Sequence, residues 1–357
     1  MNSMKHTKIC FKLMAVLLAA ASLLSLSACG EARMSQELVY AMDTEMTLTA
    51  YGKNRDAGLA QAVSVINSMN AMLDPSISTS KVYEMNHAGG QSVVVSGQIA
   101  GMISTAKTVY NRTKGALDLT VYPLLERWGF SNGKYYVPTD EEIYADIQRL
   151  CFDQLQLDTF TSLGSYTVTM PADGAISFGA VAKGCASDYA IEAMRSSGVE
   201  SGIISLGGNV QTLGLKPDGS LWNVAVTDPE NTASYLGVVE VGETAVVTSG
   251  TYQRFFRQNG EFYHHLIKPS TGYPVSNSLV SLTVVCKSGT LADCLSTGLF
   301  VLGENQAMNY WRTYGKSGTD EDFEMIMVTD DYRIICTSGL IEQFVPTNTN
   351  YTLSFIE

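Results

Sequence analysis

Apolar positions recur at helical spacing in two long stretches near the start of the chain. From Asp56 to Leu73, the residues Leu59, Val63, Ile66 and Leu73 share one stripe; from Gly97 to Lys114, Ile99, Ile103, Ala106 and Tyr110 do the same, and Gly115 stops the pattern. Pro138-Thr139 with Glu142 three residues on has the spacing of a capping box and opens a helix through Leu150. A further helix starts at Lys183 and ends at Gly198. Short β-branched and aromatic runs predict strands at Tyr166–Met170, Ile203–Leu206, Trp222–Val226, Val238–Val241, Ala245–Thr248, Leu279–Cys286, Met325–Val328 and Arg333–Cys336. Strands dominate the second half, and helices interrupt them rather than alternate with them. That order predicts an α+β fold, a single large mixed domain, and not a doubly wound sheet.

The first thirty residues break the pattern. Lys5, His6, Lys8 and Lys12 precede the apolar run Leu13–Leu26, which meets Leu26-Ser27-Ala28-Cys29. This resembles a bacterial lipoprotein signal, and the resemblance makes residues 1–28 a signal peptide and Cys29 a lipidated new N-terminus. An uncleaved membrane anchor is the competing reading, since the run approaches the minimum spanning length of about 17 residues. On either reading the body lies outside the cytoplasm, at the extracytoplasmic face of the membrane, held by a short polar tether over residues 29–39. From Tyr40 to Glu357 no linker, repeat or low-complexity tract divides the chain.

Composition and charge narrow the function. At 45% hydrophobic and 16% charged residues, the chain is neither disordered nor a disulfide miniprotein. All three basic residues before position 29 lie in the signal, so twenty basic side chains remain against thirty-five acidic ones. So acidic a body repels nucleic acid, and an anionic ligand would need a cation or local donors. Beyond Cys10 and Cys29, the cysteines 151, 185, 286, 294 and 336 are odd in number and form no C-x-x-C. They read as small buried hydrophobes.

Several familiar sites are excluded. Gly179-Ala-Val-Ala-Lys-Gly184 is not a P-loop, because the lysine precedes the glycine. There is no H-E-x-x-H and no G-x-S-x-G, and Gly207-Gly208-Asn209 lacks the spacing of a dinucleotide fingerprint. What remains is a set of polar clusters at the ends of apolar runs. Gly115–Thr120 follows a helix and reads either as a cap with an Asx-type turn or as a ligand wall. Ser177–Gly184 runs from strand to helix, and its small residues allow either close packing or an approach to phosphate at the helix N-terminus. Ser205–Asn209 and Thr248–Tyr252 read as turns or as backbone contacts to a ligand. At His264-His265, neighbours on a strand point to opposite faces, so only one imidazole enters a given site. Asp293 and Thr297 are four apart on an apolar helix, hence on one face, where they form either hard-oxygen ligands or a solvated first turn.

Taken in order, these clusters resemble the ApbE-type flavin transferases, the FAD:protein FMN transferases. The matching stretches are Ala41–Thr44, Lys114–Phe130, Gly179–Asp188, Ser205–Asn209, Thr248–Tyr252, His265–Pro274 and Ala292–Thr297. The resemblance implies Mg²⁺-dependent cleavage of FAD, transfer of FMN to a threonine of an acceptor flavoprotein and release of AMP. The acceptor would be a membrane electron-transfer subunit or a secreted flavoprotein. It implies flavin contacts at Met42, Ala116, Leu117, Asp118, Ser177, Lys183 and Ile267, with Ser76 in a stretch that touches the ligand. It also implies Mg²⁺ held by the Ala180 carbonyl, Asp293 and Thr297, with His265 as general base.

The chain departs from that pattern at three positions. Lys268 stands where an aspartate is usual, Ser177 where an acid commonly meets the ligand, and Ser76 where many members carry a tyrosine. The first is expected to alter the orientation or charge of His265, the others to lower FAD affinity. Two alternatives therefore accompany the transferase reading: an FAD pyrophosphatase yielding FMN and AMP, and a flavin-binding lipoprotein without turnover.

Overall fold

The structure, a computed structural model, describes residues 33–159, 165–316, 318–319 and 321–357. The signal segment 1–28 and Cys29 lie outside the described residues. Among the described residues nine strands form the main sheet, and their spatial order is also their chain order: β1 (Met34–Ala41), β2 (Thr44–Tyr51), β3 (Ser201–Leu206), β4 (Asn209–Leu213), β5 (Ala245–Gly250), β6 (Leu279–Cys286), β7 (Glu324–Thr329), β8 (Arg333–Thr337) and β9 (Thr352–Ile356). Every neighbouring pair is antiparallel except β8 and β9.

Alternation along the strands builds two cores. Ala245 and Val247 of β5, with Met325 and Met327 of β7, face a helical layer. Val246, Ile326 and Val328 face a smaller three-stranded sheet made of Trp222–Thr227, Tyr235–Val241 and Phe344–Pro346. Because both faces of this half of the sheet are covered, β6 reads as an almost unbroken apolar run. The helical layer comprises α1 (Arg55–Leu73), α2 (Gly97–Arg112), α3 (Ala182–Ser196) and α4 (Gly289–Leu302).

Local signals account for these boundaries. Thr139 accepts from the Glu142 N–H while the Glu142 side chain accepts from the Thr139 N–H, so the expected capping box opens the helix Asp140–Ile147, which stops short of Leu150. The helix expected from Lys183 begins at Ala182 and ends at Ser196, followed by Gly198 at φ 84°. Thr248–Gly250 completes β5 and is no hairpin corner; the chain turns just beyond it, where the Gln253 N–H donates to the Gly250 carbonyl.

One boundary changes. The tether expected over 29–39 is strand from Met34 onward, with all eight residues of β1 paired to β2. It is an edge strand rather than a linker: Met34, Gln36, Leu38 and Tyr40 stand open to solvent on one face while Val39 and Ala41 turn to the helical core. The folded unit therefore starts before Tyr40. Cys151, Cys185, Cys286, Cys294 and Cys336 are free and buried, and burial pushes each thiol above its ordinary pKa, so none is a thiolate nucleophile.

Candidate active site

A cavity of about 450 Å³ opens where the β1–β2 and β3–β4 turns, the segment after α2 and the first turns of α3 meet a small hairpin, Phe255–Gln258 with Glu261–His264. That volume is within the range of small-molecule sites.

The β1–β2 turn delivers Met42. Ala41 pairs with Thr44, so Met42 and Asp43 are the two central turn residues, at φ 51° and 59°. A type I′ turn demands those angles but favours Asn and Gly, so a methionine there carries strain. The Met42 N–H donates to Asn70 Oδ1 at 2.7 Å, which pins the turn from α1. Both Met42 and Asn70 line the cavity.

The segment after α2 is cap and wall together. Lys114 (φ 54°) and Gly115 (φ 86°) turn the chain, and the Gly115 N–H donates back to the Tyr110 carbonyl at 2.9 Å. Asp118 Oδ1 then accepts from the Thr120 N–H at 2.7 Å and the Thr120 hydroxyl at 2.6 Å. Burial raises the Asp118 carboxyl above the ordinary range, and the bonds from Thr120 counter part of that. Ala116, Leu117 and Asp118 all border the cavity.

Ser177 and Ala180 line the cavity beside this segment, the Ser177 N–H donating to the Leu119 carbonyl at 2.9 Å and Ser177 Oγ accepting from the Gly179 N–H at 3.2 Å. The first turn of α3 is not an open phosphate cradle. Its Ala182 N–H goes to the Phe178 carbonyl and its Gly184 N–H to Asp293 Oδ2 at 2.8 Å. The cationic group here is Lys183, which lines the cavity with Nζ 4.0 Å from Asp293 Oδ1. Thr297, one turn along α4, borders the same space, with its hydroxyl 3.3 Å from Ser249 Oγ. Asp293 itself is buried behind Lys183. A carboxylate, a hydroxyl and the Ala180 carbonyl are hard oxygen donors of the kind Mg²⁺ accepts, and Mg²⁺ typically takes few carboxylates and completes its shell with water and substrate phosphate. Among the described residues no group of three or more His, Cys, Asp or Glu side chains could hold a metal, so any cation at Asp293 depends on that mixed set.

The two histidines divide as strand geometry requires. His264 is buried; its Nε2 donates to the Val275 carbonyl at 3.0 Å and its Nδ1 accepts from the Leu266 N–H at 3.3 Å. His265 faces the cavity, and its Nδ1 donates to the Arg254 carbonyl at 3.2 Å, which leaves Nε2 with the free lone pair. Burial, then the nearby charge of Arg254, holds His265 well below the usual imidazole range, with Lys183 adding to the effect. Lys268 is exposed; it does not line the cavity, and its backbone serves the turn that returns the chain to Tyr273. His265 is therefore perturbed by burial and by Arg254, and not by Lys268. Trp128 braces both the turn and the hairpin: its indole N–H donates to the Gly272 carbonyl of that turn at 2.8 Å, and its ring packs against Phe256 and Tyr263 of the hairpin.

Met42, Ser76, Ala116, Leu117, Asp118, Ser177, Ala180, Lys183, His265, Ile267 and Thr297 thus come to one cavity, with Asp293 immediately behind it. Sequence reasoning passed over Asn70, Asp74 and Arg254, which line the same space. Asn70 sat inside a helical stripe and Arg254 just beyond the Thr248–Tyr252 cluster, so no local signal separated them from ordinary polar surface.

A model of the ApbE family matches residues 42–320. The FAD:protein FMN transferase of Klebsiella pneumoniae is 31% identical over 327 residues, covering 89% of this chain and 98% of that protein. Another of the same name, from Vibrio cholerae, is 35% identical over 225 residues, 62% of this chain and 66% of its own length. The solved flavin transferase ApbE from Vibrio cholerae superposes with a TM-score of 0.73 at 25% identity, covering 90% of this chain and 98% of that one. The α+β architecture is thus that of solved ApbE proteins. The chain belongs to the ApbE family.

Proposed function

We propose that this protein transfers the FMN moiety of FAD to a threonine hydroxyl of an acceptor flavoprotein, forming a phosphoester and releasing AMP. The threonine oxygen bonds to the phosphorus that carries riboflavin, the bond from that phosphorus to the AMP oxygen breaks, and the hydroxyl proton passes to His265 Nε2. The observation that carries this reading is the placement of His265: its Nδ1 is tied to the Arg254 carbonyl, which in a neutral ring leaves the Nε2 lone pair to the cavity that Lys183 and Thr297 also line. A neutral imidazole suits deprotonation of an alcohol, and a bound diphosphate beside Arg254 and Lys183 would draw its pKa back toward neutrality.

Mg²⁺ would be held by Asp293, Thr297 and the Ala180 carbonyl, and when bound it would neutralise charge developing on the phosphoryl oxygens. Lys183 orients the diphosphate and balances Asp293. The walls at Met42, Ala116–Asp118, Ser177 and Ile267 receive the flavin end. The signal-like segment before Cys29 supports a lipid-anchored protein at the extracytoplasmic face of a bacterial membrane, where its acceptor would be a membrane electron-transfer subunit or a secreted flavoprotein.

The test is incubation with FAD, Mg²⁺ and an acceptor flavoprotein, read by acceptor mass. An FMN adduct on threonine with stoichiometric AMP is expected, and Asp293→Asn should abolish it while leaving the thermal midpoint near that of the unsubstituted protein. Full adduct formation by Asp293→Asn would remove Asp293 from the site.

A further inference from the structure

We propose that the side-chain amide of Asn209 is a positioning group of the cation site at Asp293 and Thr297, an inference that rests on the magnesium reading above. Asn209 is completely buried, and neither its Nδ2 nor its Oδ1 has a hydrogen-bond partner among the described residues. A buried amide with both ends unsatisfied is rare in folded proteins and marks a position where partners come from outside the chain.

The turn does not explain the residue. Gly207 (φ 57°) and Gly208 (φ 92°) occupy the central positions of the β3–β4 hairpin, and the Asn209 backbone pairs with Leu206 and Val247. An apolar side chain would serve that strand position equally well.

Its neighbours locate the amide. Gln211, two residues on and therefore on the same face of β4, lies 2.5 Å from the Ser187 hydroxyl and donates to Asp188 Oδ1 at 3.0 Å, so this face meets α3. Asn209 lies about 7 Å back along the strand, which is level with the preceding turn of α3, where Gly184 holds Asp293. On the other flank, Val247 of β5 is its direct partner, and Ser249 two residues further contacts Ser296 and Thr297 of α4. Asn209 is therefore bracketed by the turn that binds Asp293 and the strand that touches Thr297, beneath both. An amide there can donate to a carboxylate or to cation-bound water and accept from water in turn, and such outer partners commonly govern metal affinity.

The experiment titrates Mg²⁺ alone into the full chain by calorimetry, without FAD, and measures the thermal midpoint in a chelator for the unsubstituted protein, Asp293→Asn, Asn209→Leu and Asn209→Ala. Asp293→Asn should lose Mg²⁺ binding. Both Asn209 variants should bind Mg²⁺ about ten- to a hundredfold more weakly, and Asn209→Leu should have a midpoint in chelator no lower than the unsubstituted protein. If Leu does not fold at that site, the Ala variant decides. Affinity unchanged in the Asn209 variants but lost in Asp293→Asn would overturn this proposal alone, even if the variants were less stable. Full affinity in Asp293→Asn would overturn the magnesium site and this proposal with it.

Discussion

His264 and His265 share a strand end and have opposite surroundings. The first is a buried ring whose two nitrogens both serve the backbone; the second keeps one nitrogen for the cavity. His265→Ala should lower turnover far more than it weakens FAD binding, because a base acts in the transition state; comparing kcat with FAD affinity checks this. His264→Ala should instead reduce stability and leave the FAD affinity of the folded fraction intact. Equal catalytic losses in two stable variants would sink the assignment. Burial lowers the pKa of both rings, with Arg254 adding to the effect at His265. Above the ordinary imidazole value of about 6.5 neither the folded nor the unfolded state binds these protons, so stability is independent of them. Below it the unfolded chain takes up protons that the folded rings refuse, and stability falls as the pH drops. The thermal midpoint should therefore decline from about pH 7 toward pH 5, and the decline should be shallower in His265→Gln. A steeper decline in that variant would contradict the sign.

At the scale of elements, the proposed cation site would depend on how closely α3 and α4 cross. A Cβ on Gly184 would lie 2.0 Å from the Gly289 carbonyl oxygen and 2.7 Å from Asp293 Cβ, so only glycine permits this contact. Asp188 secures the same junction: Oδ1 accepts the Gly289 N–H at 2.7 Å, and Oδ2 accepts the Thr290 N–H at 2.9 Å and its hydroxyl at 2.7 Å. A carboxylate on α3 thus caps the N-terminus of α4 and complements its dipole. Asp188→Ala should cost roughly 2–4 kcal/mol by denaturant titration and weaken Mg²⁺ binding, because it releases the helix that carries Asp293 and Thr297. A stability change below about 0.5 kcal/mol, the scale of an ordinary surface substitution, would show that the cap is dispensable. The sequence made part of this visible. The four-residue spacing put Asp293 and Thr297 on one face, and the small residues of Gly179–Gly184 signalled a close approach. It could not show that Asp188 caps a helix a hundred residues away, because a cap supplied by another element leaves no local pattern. β1 and β2 were missed for different reasons: in β1 the solvent-open face carries Met34, Leu38 and Tyr40, so apolar residues do not mark its buried side, whereas in β2 the alternation of Met46, Leu48 and Ala50 with threonines was present in the sequence and was passed over.

Across the whole molecule, the cavity gathers residues from Met42 to Thr297, so no single segment contains the site. The helices and central strands follow from periodicity, but the convergence of the polar clusters was legible only through their order along the chain. An acidic body presents Lys183 and Arg254 to this one space, with Asp43, Asp74 and Asp118 around it, so on the proposed function phosphate recognition would be local and charge-balanced. On the proposed function, the rim would decide what reaches the phosphorus. Ser76 is exposed at that rim, and both its N–H and its hydroxyl donate to Asp74 Oδ1, at 2.8 Å and 2.6 Å, so its side chain folds back onto the loop and leaves the cavity uncovered. Water and threonine would attack the same centre with the same base, and what separates hydrolysis from transfer is the exclusion of water. Without an acceptor, slow Mg²⁺-dependent conversion of FAD to FMN and AMP is expected, measurable by chromatography over hours. Ser76→Tyr should place a ring over the bound nucleotide, lowering hydrolysis severalfold and slowing FAD dissociation while transfer to an added acceptor continues. If the unsubstituted protein releases neither FMN nor AMP on its own, the open rim has no catalytic consequence and the protein is a strict transferase.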